Sequence, residues 1–273
     1  MRRHSFLAIV LAILCAASAA TAQPLPVAAQ RLFDQARGGK WFGDAQKLSP
    51  AIVPTADGRS FIAVWRNAGT QPEKWVVSLH GSNGFATDDL AIWQRYLEPR
   101  GIGLVTLQWW FGRDDGPQGY YAPEQIYREL DIALRKLGVA PGTALLHGFS
   151  RGAANIYAVA ALDATRPAPY FSLVIANAGR ASMDFPPTRA VAEGRFGPQP
   201  FRQARWITVC GGRDPNPERD GCPGMRATGL WLTGQGAQGV TAIEDPQGGH
   251  GVFHRNARHV NRALDLFEGR AKP

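Results

Sequence analysis

The chain has 273 residues, 45% of them hydrophobic, with a formal net charge of +8, which is enough apolar mass for a large core and excludes a disordered or low-complexity protein. Beyond the leader no stretch is apolar for 18 residues, so no membrane span is expected. The arginines are scattered and form no run, so no nucleic-acid-binding face is expected.

Residues 1–22 read as a secretory signal peptide. Arg2 and Arg3 form a basic start, Phe6 to Leu14 an apolar run too short to span a bilayer, and Ala20-Thr21-Ala22 a small-residue cleavage site. Cleavage near Ala22 would place the protein in the periplasm or medium. Bulky Leu14 before Cys15 opposes a lipoprotein. Residues 23–273 are expected to form a single α/β domain of formal charge +6. Its two cysteines, Cys210 and Cys222, lie twelve residues apart and are expected to be bridged in an oxidising compartment. No C-x-x-C spacing points to zinc.

Strand-like and helix-like segments then alternate. "RSFIAVWR" (59–66) reads as a strand after the turn "ADG", and "KWVVSL" (74–79) as another that ends at His80-Gly81. Asp88 and Asp89 are candidate caps for a helix with Leu90, Trp93 and Leu97 on one face, stopped by Pro99. A strand over 103–107 runs into the aromatic cluster Trp109-Trp110-Phe111. A helix starts at Pro123 with the stripe Ile126, Leu130, Ala133, Leu134 and Leu137, and stops at Gly138. Next come a strand over 143–147, a helix over 151–162 and a strand over 172–176. Strands near 206–209 and 240–243 and a last helix carrying Val260, Leu264 and Phe267 complete the pattern. Such alternation predicts a mainly parallel sheet covered on both faces, with chemistry gathered beyond the carboxyl ends of its strands.

Gly148-Phe149-Ser150-Arg151-Gly152 is a G-x-S-x-G sequence placed where a strand ends and a helix begins. The turn pushes the serine hydroxyl clear of the sheet. Glycines on either side let strand and helix approach. The helix start aims free N–H groups, that of Arg151 first, at a developing oxyanion. A serine needs a base. His250, in the glycine-rich "PQGGHGVF" after a strand, is the first candidate and His254 the second; His80 and His147 are expected to support loops, and His254 and His259 to lie on the last helix as surface or packing residues. An acid must hold the imidazole. Asp214 follows the strand "RWITVCGG", with Asp220 in the same loop as the alternative. A bridge between Cys210 and Cys222 would close that loop.

The chain order Ser150, Asp214, His250 resembles the α/β-hydrolase family. The resemblance covers roughly Trp75 to the last helix. It implies an eight-stranded, mostly parallel sheet and a serine hydrolase that cleaves carboxylic esters without metal or organic cofactor. It also implies a second oxyanion donor in "LHGSNGF": the backbone N–H of Ser82, with Gly81 or Asn83 in reserve. The paired aspartates of "GRDDG" are read as a turn, not a calcium site. Residues 179–203 are too few for a lid domain, so a short flap over an open cleft is expected. Trp109, Trp110 and Tyr120 are candidates for an aromatic substrate platform. The compact exported layout is most similar to feruloyl-esterase and polyhydroxybutyrate-depolymerase types, acting on a small-molecule or polymeric ester. A peptidase of the same fold and a non-catalytic binding protein on a hydrolase scaffold are the alternatives.

Overall fold

The computed structural model describes residues 24–67 and 70–271; the expected signal peptide lies outside them. Eight strands form one sheet: β1 (Ala51–Pro54), β2 (Phe61–Trp65), β3 (Trp75–Leu79), β4 (Gly103–Leu107), β5 (Ala144–Phe149), β6 (Phe171–Asn177), β7 (Arg205–Gly211) and β8 (Val240–Asp245). Their spatial order is β1-β2-β4-β3-β5-β6-β7-β8. β1 and β2 run antiparallel, as do β2 and β4; every other pair is parallel. The inner strands β2, β3 and β4 are buried at every position. That explains why they read as unbroken apolar runs.

Among the described residues nine α-helices accompany the sheet: α1 (Val27–Ala36), α2 (Phe42–Lys47), α3 (Ala86–Leu97), α4 (Pro123–Lys136), α5 (Arg151–Asp163), α6 (Pro186–Ala192), α7 (Cys222–Gly234), α8 (Val252–Arg255) and α9 (Ala257–Glu268). Two apolar layers result. One holds Trp75, Val77, Leu146, Tyr157 and Trp206; the other holds Val76, Trp93, Leu145, Ile207 and Phe267. Alternate residues of β3 and β5 thus face opposite layers, as a pleated strand demands.

Two sequence expectations change, and one helix was not expected. Asp88 and Asp89 do not precede α3 but lie inside its first turn, where the Asp88 carboxylate reaches back to accept the Phe85 N–H at 3.1 Å. α7 has no clear sequence signal, because Gly224, Gly229 and Gly234 lower its intrinsic propensity. Packing overrides it: a Cβ on Gly224 would overlap the Glu218 carbonyl oxygen. His254 belongs to α8, separated from α9 by Asn256, whose side chain caps α9 by accepting the Arg258 N–H at 3.1 Å.

Candidate active site

Ser150 stands between β5 and α5 with φ 54° and ψ −117°, a backbone conformation that non-glycine residues seldom adopt. Its N–H is held by the Asn177 carbonyl at 2.8 Å. The flanking glycines are there for space. A Cβ on Gly148 would sit 2.5 Å from the Gly152 carbonyl oxygen, and one on Gly152 would overlap the Leu79 carbonyl. Gly179, just past β6, approaches equally closely; a Cβ there would overlap the Ser150 carbonyl oxygen.

Asp214 and His250 are brought together from loops 36 residues apart in sequence, with Nδ1 of His250 2.7 Å from Oδ2 of Asp214. The Asp214 side chain has no exposed surface, whereas that of His250 is 31% exposed, so the imidazole keeps a face toward solvent. The other Asp214 oxygen accepts the Asn216 N–H at 2.9 Å. Gly211 and Gly212 let the histidine loop lie on the acid loop: Arg213 N–H donates to Gly248 O at 2.8 Å, and Gly212 N–H to Asp245 O at 2.8 Å. Cys210 and Cys222 form a disulfide with Cα atoms 5.0 Å apart, closing the segment that carries Asp214. The Phe149 ring lies 5.0 Å from that of His250 and so links the base to the residue before Ser150. Among the described residues no hydrogen bond joins Ser150 Oγ to His250.

The alternatives to these residues are engaged elsewhere: His254, the second candidate base, packs edge-on against Trp93 and His147, ring centroids 4.8 and 5.1 Å away. Asp220 pairs with Arg219 at 2.7 Å and not with a histidine. Its carboxylate, that of Asp214 and an imidazole nitrogen of His250 lie within 4.8 Å of one another. This spacing could hold a cation, but both carboxylates already have partners. His147 does not support a loop. It lies inside β5, fully buried, 2.9 Å from Ser78 Oγ, which donates to Asp89 at 2.5 Å, and 3.2 Å from Asn177 Nδ2. Burial holds this imidazole well below the usual range and pushes Asp89 up to about 7. A serine, a histidine and an aspartate thus meet a second time, but where no substrate can reach them. His80 is 2% exposed, its Nδ1–H directed at Gly81 O at 2.8 Å, and burial lowers its pKa to about 4.

The loop after β3 comes close to the serine: a Cβ on Gly81 would lie 3.4 Å from Ser150 Cβ. The Asn83 N–H is already donated to Tyr120 Oη at 3.2 Å, which removes it as an oxyanion donor. Among the described residues the Ser82 and Arg151 N–H groups have no protein acceptor. Both residues, with Ser150, line a cavity of 610 Å³. A larger concavity of 890 Å³ lies beside β1, and its walls contain neither Ser150 nor any residue of the loops that carry Asp214 and His250.

Of the aromatic candidates, Trp109 and Tyr120 line the Ser150 cavity, although they are only 1% and 6% exposed. Trp109 Nε1 donates to His80 O at 3.2 Å, so it also props the loop after β3. Trp110 is not part of the cavity wall; it packs on Phe85, ring centroids 5.7 Å apart, and its Nε1 donates to Asp114 O. Phe185 and Pro186, at the start of the short helix α6, supply the flap. Sequence reasoning missed Gly179 and Asn155 as cavity residues, Gly179 being marked only by its place after a parallel strand. Of Arg151, Arg180 and Arg213, the arginines in the sequence that would suit an anionic substrate, Arg151 and Arg180 line the cavity.

No known protein-family model matches the sequence, and no curated protein sequence matches it. Solved structures do resemble it. An esterase of the archaeon Pyrobaculum calidifontis superposes with a TM-score of 0.63 at 14% identity, covering 88% of this chain and 94% of that one. A fungal esterase of Rhizomucor miehei gives 0.60 at 12%, covering 86% and 89%. Zea mays acyl-protein thioesterase 2 gives 0.51 at 18%, covering 76% and 97%. With the strand order above, these likenesses establish the α/β-hydrolase fold, without a large lid domain.

Proposed function

We propose that the protein is a serine hydrolase that cleaves carboxylic esters through an acyl-enzyme on Ser150. The observation that carries this reading is the 2.7 Å pairing of His250 with the buried Asp214, found on a fold where Ser150 occupies the strained turn at the mouth of a cavity. Esterases and a thioesterase among the structural neighbours support the same class.

In this mechanism Ser150 Oγ attacks the ester carbonyl while His250 Nε2 takes its proton. Asp214 holds the Nδ1–H tautomer and stabilises the imidazolium. The Arg151 and Ser82 N–H groups bind the oxyanion, each worth roughly 2.7–4 kcal/mol in comparable sites. His250 then protonates the departing alcohol. A water, deprotonated by the same imidazole, attacks the acyl-enzyme and releases the carboxylic acid. The serine and imidazole close to hydrogen-bonding distance when substrate binds, as such pairs commonly do.

Export through the leader and action on an aryl or polymeric ester, in the manner of feruloyl esterases and polyhydroxybutyrate depolymerases, are the finer parts of this proposal. The disulfide suits an oxidising compartment. Among the described residues no helix is long and apolar enough to cross a membrane. The test is labelling by a fluorophosphonate probe together with hydrolysis of p-nitrophenyl esters. Labelling lost in Ser150→Ala, with esters cleaved and peptide anilides untouched, is the expected result. A folded protein that takes no label would be a binding protein, and anilide cleavage would favour a peptidase.

A further inference from the structure

The cavity beside Ser150 carries unmatched positive charge. Arg151 donates from Nη1 to the backbone carbonyl of Asp115 at 2.8 Å, and its guanidinium lies 4.3 Å from the centroid of the Tyr120 ring. Arg180 donates from Nη1 to the Glu218 carbonyl at 3.0 Å. Among the described residues neither has a carboxylate oxygen within 4.0 Å. A carbonyl occupies one of a guanidinium's five N–H donors and cancels none of its charge. Both heads are therefore held in place, yet keep most of their donors. The third arginine of the cavity, Arg219, is paired with Asp220 at 2.7 Å. Asp115 also lines the cavity, but its carboxylate is exposed and makes no ion pair.

We propose that this cavity takes an ester that also bears a free carboxylate, gripped by Arg151 and Arg180, with its apolar body against Trp109 and Phe185. The inference rests on the reading of Ser150 as acyl acceptor and adds the substrate class. Three arginines against two aspartates leave the cavity with a formal charge of +1, which matches a monocarboxylate better than a dianionic phosphate. The fork of a guanidinium fits the planar carboxylate in a bidentate pair. Because Arg151 directly follows the nucleophile, the anion would sit within a side chain's length of the reacting carbonyl. It belongs to either the acyl or the alcohol half.

The test compares matched esters under steady-state conditions at low ionic strength. On the acyl side, mono-4-nitrophenyl glutarate is set against 4-nitrophenyl butyrate. On the alcohol side, 4-acetoxybenzoate is set against its methyl ester. The expected result is at least a tenfold higher kcat/KM for the anionic ester in one of the two arms, shrinking in 0.5 M salt as screening grows, about tenfold being the worth of one charge-assisted hydrogen bond. Arg180→Gln lowers the anionic-to-neutral ratio by about tenfold, and Arg180→Lys recovers part of it. A fall in both esters together, with the ratio constant, assigns Arg180 a purely structural role and overturns the proposal. So does the absence of anionic preference in both arms while a fluorophosphonate still labels Ser150; the ester-hydrolase reading then stands without it. If no ester is turned over and Ser150 takes no label, both readings fall.

Discussion

His80 makes a sharp quantitative test of the packing around the site. It is 2% exposed, its Nε2 has no hydrogen-bond partner, and burial holds its pKa near 4. In the unfolded chain the same imidazole titrates near 6.5. Because the folded value is depressed, the native protein keeps the ring neutral while the unfolded chain takes up a proton below 6.5. The stability tied to this neutral ring is complete above that pH and is lost as pH falls from 6.5 towards 4. Linkage between about 4 and about 6.5 gives a loss on the order of 2 kcal/mol between pH 7 and pH 5 from this one group. Other groups titrate in the same window, notably Asp89 in the opposite sense and His147 in the same sense. A difference between two proteins isolates His80. In His80→Asn the amide N–H replaces the Nδ1–H donor to Gly81, but nothing titrates. Urea unfolding of both proteins at pH 7 and pH 5 should show wild type losing on the order of 2 kcal/mol more than the variant. Equal losses would mean that the ring charges as easily in the folded protein as in the unfolded one, and the account of a sealed His80 beneath the oxyanion loop would be wrong.

Four further outcomes follow from the site. Ser150→Ala and His250→Ala should each lower kcat on ester substrates by on the order of 10³–10⁶, with binding of a product analogue retained. Asp214→Asn should cost far more activity than Asp220→Asn, because Asp214 bonds His250 whereas Asp220 bonds Arg219; steady-state kinetics showing the reverse would move the acid to Asp220. Reducing the Cys210–Cys222 bridge should destabilise the protein by about 3 kcal/mol, read from the urea midpoint with and without reductant; an unchanged midpoint would show that the loop is held by its other contacts. Gly152→Ala should destabilise by about 1–3 kcal/mol and also misplace Ser150, since its methyl overlaps the Leu79 carbonyl; a variant with full stability and activity would refute the close approach of β3 and α5.

Much of the molecule was legible in one dimension because its elements are marked by local chemistry. The strand over 103–107 and the helix from Pro123 to Lys136 stand where their apolar pattern, first-turn proline and terminal glycine place them. The turn at Ser150 was legible because only glycine fits two residues to either side of it, at Gly148 and Gly152. The disulfide followed from an even pair of cysteines. α7 was hidden, since its glycines argue against a helix until the Glu218 backbone packs on Gly224. Trp110 looked like part of a platform because it neighbours Trp109; beyond the end of β4 the two rings part, Trp109 into the cavity wall and Trp110 onto Phe85.

By itself the sequence determined which residue types stand after which strands, and so nominated a serine, an acid and a base. It left open Asp214 against Asp220, and one histidine among five. Only the tertiary structure shows which carboxylate is paired with which imidazole, because such pairings depend on which loops lie side by side. Gly211 and Gly212 let the histidine loop settle on the acid loop, so that Asp214 meets His250, while Ser78, His147 and Asp89 are sealed within the core. The unmatched charge of Arg151 and Arg180 is likewise a property of what surrounds them in space: a sequence lists charges, but only packing decides which of them are neutralised.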